Sequence, residues 1–480
     1  MRRLKGEDNS FLAWENPVQP QYTIKAVVLD PGQGREPVTF ETVKAAVPAL
    51  VDHVEPLQWQ LLVPRLRFGR PWWISRPQVD LDYHVKRTTA AAPGGDRELA
   101  ATISGILEAE TDRSRAPWQL WYVDGLAGGR IAFVLKLHHA VADGLASLHL
   151  LETIYSTDPE APLPEPAAPP LPNGQRPPPW IWFPLVLRHQ RAAAVNFPRI
   201  IARTARVTRT MLRRRRAGKP GYAASFAAPG MPFNAPLTAD RRFAYRACEM
   251  STVKQVAKTF GVTVNDVFLA SCSGALREFL DRRGELPVET LTAVVPVSMR
   301  PPGAEADWGN HVARWNVVLA TDVADSVGRL HAIAAATRTA REVQAERDAL
   351  LQHDWMEYWP LFWLYSRALP LIGERVSGRP TFSLIASNVR GPQRRLFWAG
   401  APIEKLISTG PLVFPMGLNF TGWSYEGQMT IGVLTCGDHV ADPWEIADGL
   451  PKALAELADR AAAASPESSR VESGRSETTA

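Results

Sequence analysis

Apolar residues recur in two different periods along this chain, and the periods separate strands from helices. "YTIKAVVLD" (22–30) and "RIAFVLKLHHAV" (130–141) are short, apolar and rich in β-branched residues, which predicts buried strands. "ASLHLLETIY" (146–155) spaces its apolar residues by three and four and predicts a helix. Further on, "RRFAYRACEM" (241–250) and "LTAVVPVSM" (291–299) predict strands. "STVKQVAKTF" ends at Gly261, and "DVFLASCSGALREFLDRRG" ends at Gly284, so each predicts a helix with a glycine stop. "MGLNFTGWSYEGQMTIGVLTCG" (416–437) predicts a hairpin turning near Glu426-Gly427. Strands and helices alternate in both halves, which predicts an α/β fold with mixed sheets in two lobes.

Between the halves the pattern fails. "DPEAPLPEPAAPPLPNGQRPPP" (158–179) has too much proline to pack as a regular element. These breaks predict an N-terminal lobe at 1–157, a linker with a basic helix at 158–225, a C-terminal lobe at 226–463 and a disordered tail at 464–480. In the basic helix, Arg199, Arg203, Arg206, Arg209, Arg213 and Arg216 recur at steps of three and four, with Ile200, Ile201, Val207, Met211 and Leu212 mostly apart from them. That amphipathic pattern suits an anionic lipid surface, and it also suits an interdomain helix with a solvated face. Nucleic acid fits less well, because no aromatics interleave the arginines and no binding motif accompanies them.

Charge sharpens this picture. The 480 residues carry a net charge of +5, but 177–219 holds eleven basic residues and no acid. Without that segment, 43 basic residues face 49 acidic ones, so the basicity is local. Three scattered cysteines make neither a disulfide framework nor a metal cluster and suit a reducing, cytoplasmic setting. No secretory signal is expected at the N-terminus, and no stretch is apolar enough to span a membrane. The greasiest piece, "WMEYWPLFWLYSRALPLI" (355–372), is interrupted by Glu357, Pro360 and Arg367 and reads first as a buried aromatic helix, with membrane contact or a greasy cavity wall as the alternatives.

The chemistry concentrates at "LHHAVADG" (137–144). On a strand, Leu135, Leu137 and His139 share one face while Lys136 and His138 share the other. Two imidazoles facing opposite ways do not grip one metal ion, so no metal is expected. One working histidine and one supporting histidine is the better reading. Imidazole is the natural general base near neutral pH. Asp143-Gly144 then turns the chain, with Asp143 either capping the next helix or pairing with an arginine. No G-x-S-x-G elbow, Walker loop or strand-linked G-x-G-x-x-G is present, so neither a serine nucleophile nor a nucleotide cofactor is expected.

His138-His139-Ala140-Val141-Ala142-Asp143-Gly144 resembles the HHxxxDG motif of the CoA-dependent, chloramphenicol acetyltransferase-like acyltransferases. Further blocks are similar to the bacterial wax ester synthase/diacylglycerol acyltransferase family: "GEDNSFLAWE" (6–15), "DRSRAPWQLWYVDGL" (112–126), "VTVNDVFLASCSGALREFL" (262–280), "VVPVSMRP" (294–301) and "ASNVRGP" (386–392). The likeness runs from about residue 7 to 460. It departs at Ala116-Pro117-Trp118, where the family has Pro-Leu-Trp, and at Arg390, where it has Pro.

The resemblance implies two chloramphenicol acetyltransferase-like lobes with an interlobe tunnel. It implies fatty acyl transfer from acyl-CoA to diacylglycerol or a long-chain fatty alcohol, without a cofactor, at a peripheral membrane or lipid-droplet surface. His139 would be the general base and His138 would position it. Asp143 and Gly144 would shape the loop, and Asn265 and Asp266 would hold substrate or support the site. Asn265 also suits a helix N-cap. Two rival readings are a related acyltransferase acting on a polyketide or glycolipid alcohol, and a non-catalytic lipid-binding coat protein.

Overall fold

A computed structural model describes residues 1–34, 37–63, 70–166, 178–218, 223–300, 303, 307–346, 351–358 and 378–464. Strands in chain order are β1 (Arg2–Arg3), β2 (Tyr22–Leu29), β3 (Trp59–Leu62), β4 (Trp72–Ser75), β5 (Val85–Thr89), β6 (Trp118–Asp124), β7 (Ile131–His138), β8 (Arg241–Glu249), β9 (Thr292–Ser298), β10 (Val312–Val318), β11 (Leu384–Val389), β12 (Phe397–Trp398), β13 (Ala401–Thr409), β14 (Leu418–Tyr425) and β15 (Gln428–Cys436). The helices used below are α1 (Gly6–Trp14), α2 (Phe40–His53), α3 (Leu81–His84), α4 (Asp96–Glu108), α5 (Gly144–Ile154), α6 (Pro179–Arg216), α7 (Met250–Phe260), α8 (Val264–Arg282), α9 (Ser326–Glu346) and α10 (Leu351–Tyr358).

Two six-stranded mixed sheets carry the fold, in the orders β12-β13-β2-β7-β6-β5 and β10-β9-β11-β14-β15-β8. The expected two-lobed α/β architecture is therefore present, and the apolar runs are its strands. Every residue of β2 and of β7 is buried. The β14–β15 hairpin turns at Glu426 and Gly427, both with positive φ, as a two-residue hairpin turn requires. Burial within the sheet needs every polar group answered. Lys136 meets this by donating its Nζ to the carbonyls of Ile106 and Leu107 at 2.8 and 3.1 Å, so it caps the open C-terminal end of α4. Burial still pushes its pKa down to about 7.

The lobe boundaries depart from the sequence reading. β12 and β13, expected in the C-terminal lobe (226–463), complete the N-terminal sheet, with β13 antiparallel to β2. In return, α4 of the N-terminal half supports β8: Ser104 Oγ accepts from Phe243 N–H at 3.0 Å, and Glu108 Oε1 accepts from Arg241 N–H at 2.8 Å. Sequence order hid this exchange because strand pairing is non-local. Within the segment 158–225 the expected basic helix is present as α6, which runs for 38 residues. Val186, Ala193 and Ile200 repeat every seven residues and are buried. On the same helix Arg203 pairs with Asp354, Thr204 accepts from Trp355 Nε1 at 2.9 Å, and Arg214 binds Glu342 and Glu346. The apolar residues of α6 do not all face inward, because Ile201 and Leu212 are exposed. Most of the greasy stretch 355–372 and nearly all of the tail from 464 lie outside the described residues.

Candidate active site

β7 delivers His138 at its last position, and His139 follows immediately. The pleat sends the two rings to different neighbours, as the alternation predicted. His138 is buried against Tyr22. Its Nδ1 accepts from Ala140 N–H at 3.0 Å, so Nε2 carries the hydrogen, and it points at Glu15 Oε2 3.4 Å away. Burial opposes ionisation of Glu15, but His138 and Arg113 outweigh it and hold that carboxyl below its usual range. His138 is thus tied into a supporting ion network.

His139 is half-buried and stacks on Phe11 of α1, ring centroids 4.0 Å apart. Its Nδ1 lies 3.0 Å from Asn310 Oδ1. The Asn310 amide orientation follows from its other contacts. Nδ2 donates to Asp8 Oδ1 at 2.9 Å and to the His139 carbonyl at 2.8 Å. Oδ1 must therefore be the acceptor, Nδ1 the protonated ring nitrogen, and Nε2 the one with a free lone pair. Among the described residues Nε2 has no hydrogen-bond partner. Burial, then the charge of Lys25, push the His139 pKa down to about 4, so the ring is neutral at physiological pH. Burial likewise pushes Asp8 up to about 6, against hydrogen bonds from Asn310. Lys25, on β2, reaches Ser408 Oγ at 2.8 Å and lies 5.0 Å from the Trp423 ring centroid; burial pushes it down to about 7.

A segment of the other lobe clasps the loop after His139. Gly309 N–H donates to the Val141 carbonyl at 3.1 Å, and His311 N–H donates to Asp143 Oδ2 at 2.9 Å. Arg300 Nη1 holds both Asp143 oxygens, at 2.7 and 2.5 Å, with both side chains only 2% exposed. Asp143 also accepts from Ala146 N–H at 3.0 Å as the N-cap of α5. The two roles left open for this aspartate are filled together. Gly144 and Gly309 make the clasp sterically possible. A Cβ on Gly144 would come 2.7 Å from Val389 Cγ2, and Gly309 has φ +92° with the Asp8 carboxylate against it.

Residues 4–268 match the wax ester synthase/diacylglycerol acyltransferase catalytic domain, and 308–458 match the family's C-terminal domain. The chain belongs to this family. Two provisionally named diacylglycerol O-acyltransferases of Mycobacterium tuberculosis are similar to it. One is 35% identical, covering 95% of this chain and 90% of the relative; another is 33% identical over 98% and 99%. The wax ester synthase/diacylglycerol acyltransferase of Marinobacter aquaeolei VT8 superposes with a TM-score of 0.69 at 25% identity, covering 96% and 100% of the two chains. The first condensation domain of the calcium-dependent antibiotic synthetase shares the fold, with a TM-score of 0.57 at 16% identity over 95% of this chain and 97% of that one.

Within this acyltransferase-family chain, His138, His139, Asp143 and Gly144 lie together at the junction of the lobes. Asn265 and Asp266, at the start of α8, make no hydrogen bond to that cluster among the described residues. The cap of α8 is Thr263, not Asn265. Asp266 is buried, with Oδ2 accepting from Thr263 N–H and Oγ1 at 2.8 and 2.7 Å and Oδ1 accepting from Thr337 at 2.6 Å. Of the two roles expected for it, holding substrate or supporting the site, these bonds fit the supporting one. Asn265 is half-buried, and its amide has no protein partner among the described residues. Sequence reasoning missed Asn310, Asp8 and Arg300. Asp8 and Arg300 stand inside family-like blocks, and Asn310 follows a glycine in an otherwise unmarked loop. Two cavities, of about 530 and 400 Å³, lie near Trp444 and between α5 and Arg390, and the expected passage to His139 is neither of them.

Proposed function

We propose that the protein is an O-acyltransferase that moves a fatty acyl group from acyl-CoA to diacylglycerol or a long-chain alcohol, with His139 as general base. The observation that carries this reading is the locked tautomer: Asn310 occupies Nδ1 and leaves the Nε2 lone pair free. The acceptor hydroxyl gives its proton to Nε2 as its oxygen attacks the thioester carbonyl. The tetrahedral intermediate then collapses, the C–S bond breaks, and the imidazolium protonates the departing thiolate. A ring with a pKa near 4 is a weak base. Proton transfer therefore accompanies C–O bond formation, and no free alkoxide forms. Asn265 is the side-chain candidate for a donor to the oxyanion. A coat protein has no use for a tautomer lock, which favours the enzyme.

The test is thiol release from palmitoyl-CoA with dioleoylglycerol or hexadecanol as acceptor. Unchanged turnover in His139→Ala would remove the base, and no turnover with either acceptor would point to the polyketide or glycolipid alcohols. Surface association is the second part of the proposal. No helix among the described residues is long and apolar enough to cross a membrane. α6 instead exposes Trp180, Leu187 and Ile201 at multiples of seven, 76%, 49% and 46% exposed, beside Arg188, Arg206, Arg209 and Arg213. That outer face suits an anionic lipid interface.

A further inference from the structure

Arg314 stands out among the half-buried and buried arginines. Arg300 spends its guanidinium on Asp143, Gly309 and Asp307, Arg241 spends it on the carbonyls of Val18, Thr238 and Asp240, and Arg329 on those of Val323 and Ala324. Among the described residues the Arg314 guanidinium makes no hydrogen bond and no ion pair; its one close contact is the Trp14 ring. The nearest charge acting on it is Glu7, which is not in contact. Burial lowers its pKa, so holding the cation there without an anion is costly.

Its position gives that cost a purpose. On β10, Trp315 and Val317 join the core under α8 and α9, so Arg314 projects from the opposite face, toward the other lobe. There it stacks 4.8 Å over the ring of Trp14. Trp14 meets Phe11 edge-on at 5.6 Å, and Phe11 stacks on His139 at 4.0 Å. Four side chains thus form a continuous line from the candidate base to an unanswered guanidinium. The Trp14 contact holds the guanidinium against one indole, and its five N–H donors match a phosphate or carboxylate edge.

We propose that Arg314, supported by Trp14, is a binding site for an anionic oxygen group carried by a substrate at a point remote from the reacting carbon. Two sources have this chemistry: the phosphates of coenzyme A and a carboxylate on the distal end of the acceptor. The proposal rests on the acyl-transfer reading for the identity of these ligands, but its test needs no turnover. The full chain is titrated with coenzyme A against pantetheine, and with 16-hydroxyhexadecanoate against hexadecanol, in the unmodified protein, Arg314→Met and Arg314→Lys. Arg314→Met should weaken one anionic ligand at least about ten-fold, the scale of a charge-assisted hydrogen bond, and its neutral analogue less than about two-fold. Arg314→Lys should fall between and guards against a folding defect. Loss confined to coenzyme A assigns the donor phosphates, and loss confined to the hydroxy acid assigns the acceptor. Equal weakening of charged and neutral partners, or no weakening, overturns the site. Binding that survives in a protein with no transferase activity would sink the proposed function and leave this site standing.

Discussion

Replacing Asn310 by alanine tests the tautomer lock directly. Three groups lose a partner: Nδ1–H of His139, the His139 carbonyl, and Asp8 Oδ1, which among the described residues keeps only the residue 310 backbone N–H. Leaving buried groups unanswered costs about 1–3 kcal/mol each before water enters, so the net destabilisation should be about 3 kcal/mol. The kinetic effect is larger. With no acceptor at Nδ1 the proton is free to settle on Nε2, and the ring then presents a donor where the mechanism needs a lone pair. A positioned general base contributes about 10²–10⁴ in rate. Asn310→Ala should therefore lower kcat at least about 10²-fold, with the KM for palmitoyl-CoA changed less than about three-fold. The assay is thiol release with dioleoylglycerol, run beside a thermal melt. A folded variant whose kcat stays within three-fold of the unmodified protein refutes the reasoning.

Four further outcomes follow from the same geometry. Arg300→Met leaves the buried Asp143 carboxylate unpaired and should cost about 3–5 kcal/mol, read by denaturant titration. Gly144→Ala forces a methyl group against Val389 and should cost about 1–3 kcal/mol; Val389→Ala should recover part of that loss in the double variant, and strict additivity would contradict the contact. The pH dependence involves two opposed groups. His139 is depressed from 6.5 to about 4, so its contribution is lost as pH falls through that interval; Asp8 is raised from 3.8 to about 6, so its contribution is lost as pH rises through that one. Near pH 4–6 the two slopes offset, and Asp8→Asn should make Tm fall more steeply with acid. Trp180→Ser, Leu187→Ser and Ile201→Ser together should reduce sedimentation with anionic vesicles about ten-fold or more while thiol release from palmitoyl-CoA in detergent persists; full binding would remove α6 as the contact.

What the sequence disclosed follows the range of the forces involved. The opposed histidine rings, the Asp143 turn and the Glu426-Gly427 hairpin are local matters of pleat and turn chemistry, and they could be read directly. Asn310 and Arg300 could not be placed, because they meet His139 and Asp143 across 171 and 157 residues of chain. Asp266 was ambiguous for a related reason. An Asn-Asp pair at a helix start suits both substrate and cap, and only the contact with Thr337 separates them. The α6 stripe was legible as amphipathic, but the pairing of Arg203 with Asp354 spans 151 residues of chain and could not be read from it.

The exchanged strand β13 has a consequence for biosynthesis. β2 is buried along its whole length and needs β13 on its flank. Until residue 409 has left the ribosome, that flank is a bare row of backbone donors and acceptors on an apolar sheet, open to pairing with a neighbouring nascent chain. The first half of this protein therefore waits for the second through some 380 residues of synthesis, and a chaperone that shields β2 during the wait should raise the yield more than any change to the finished core.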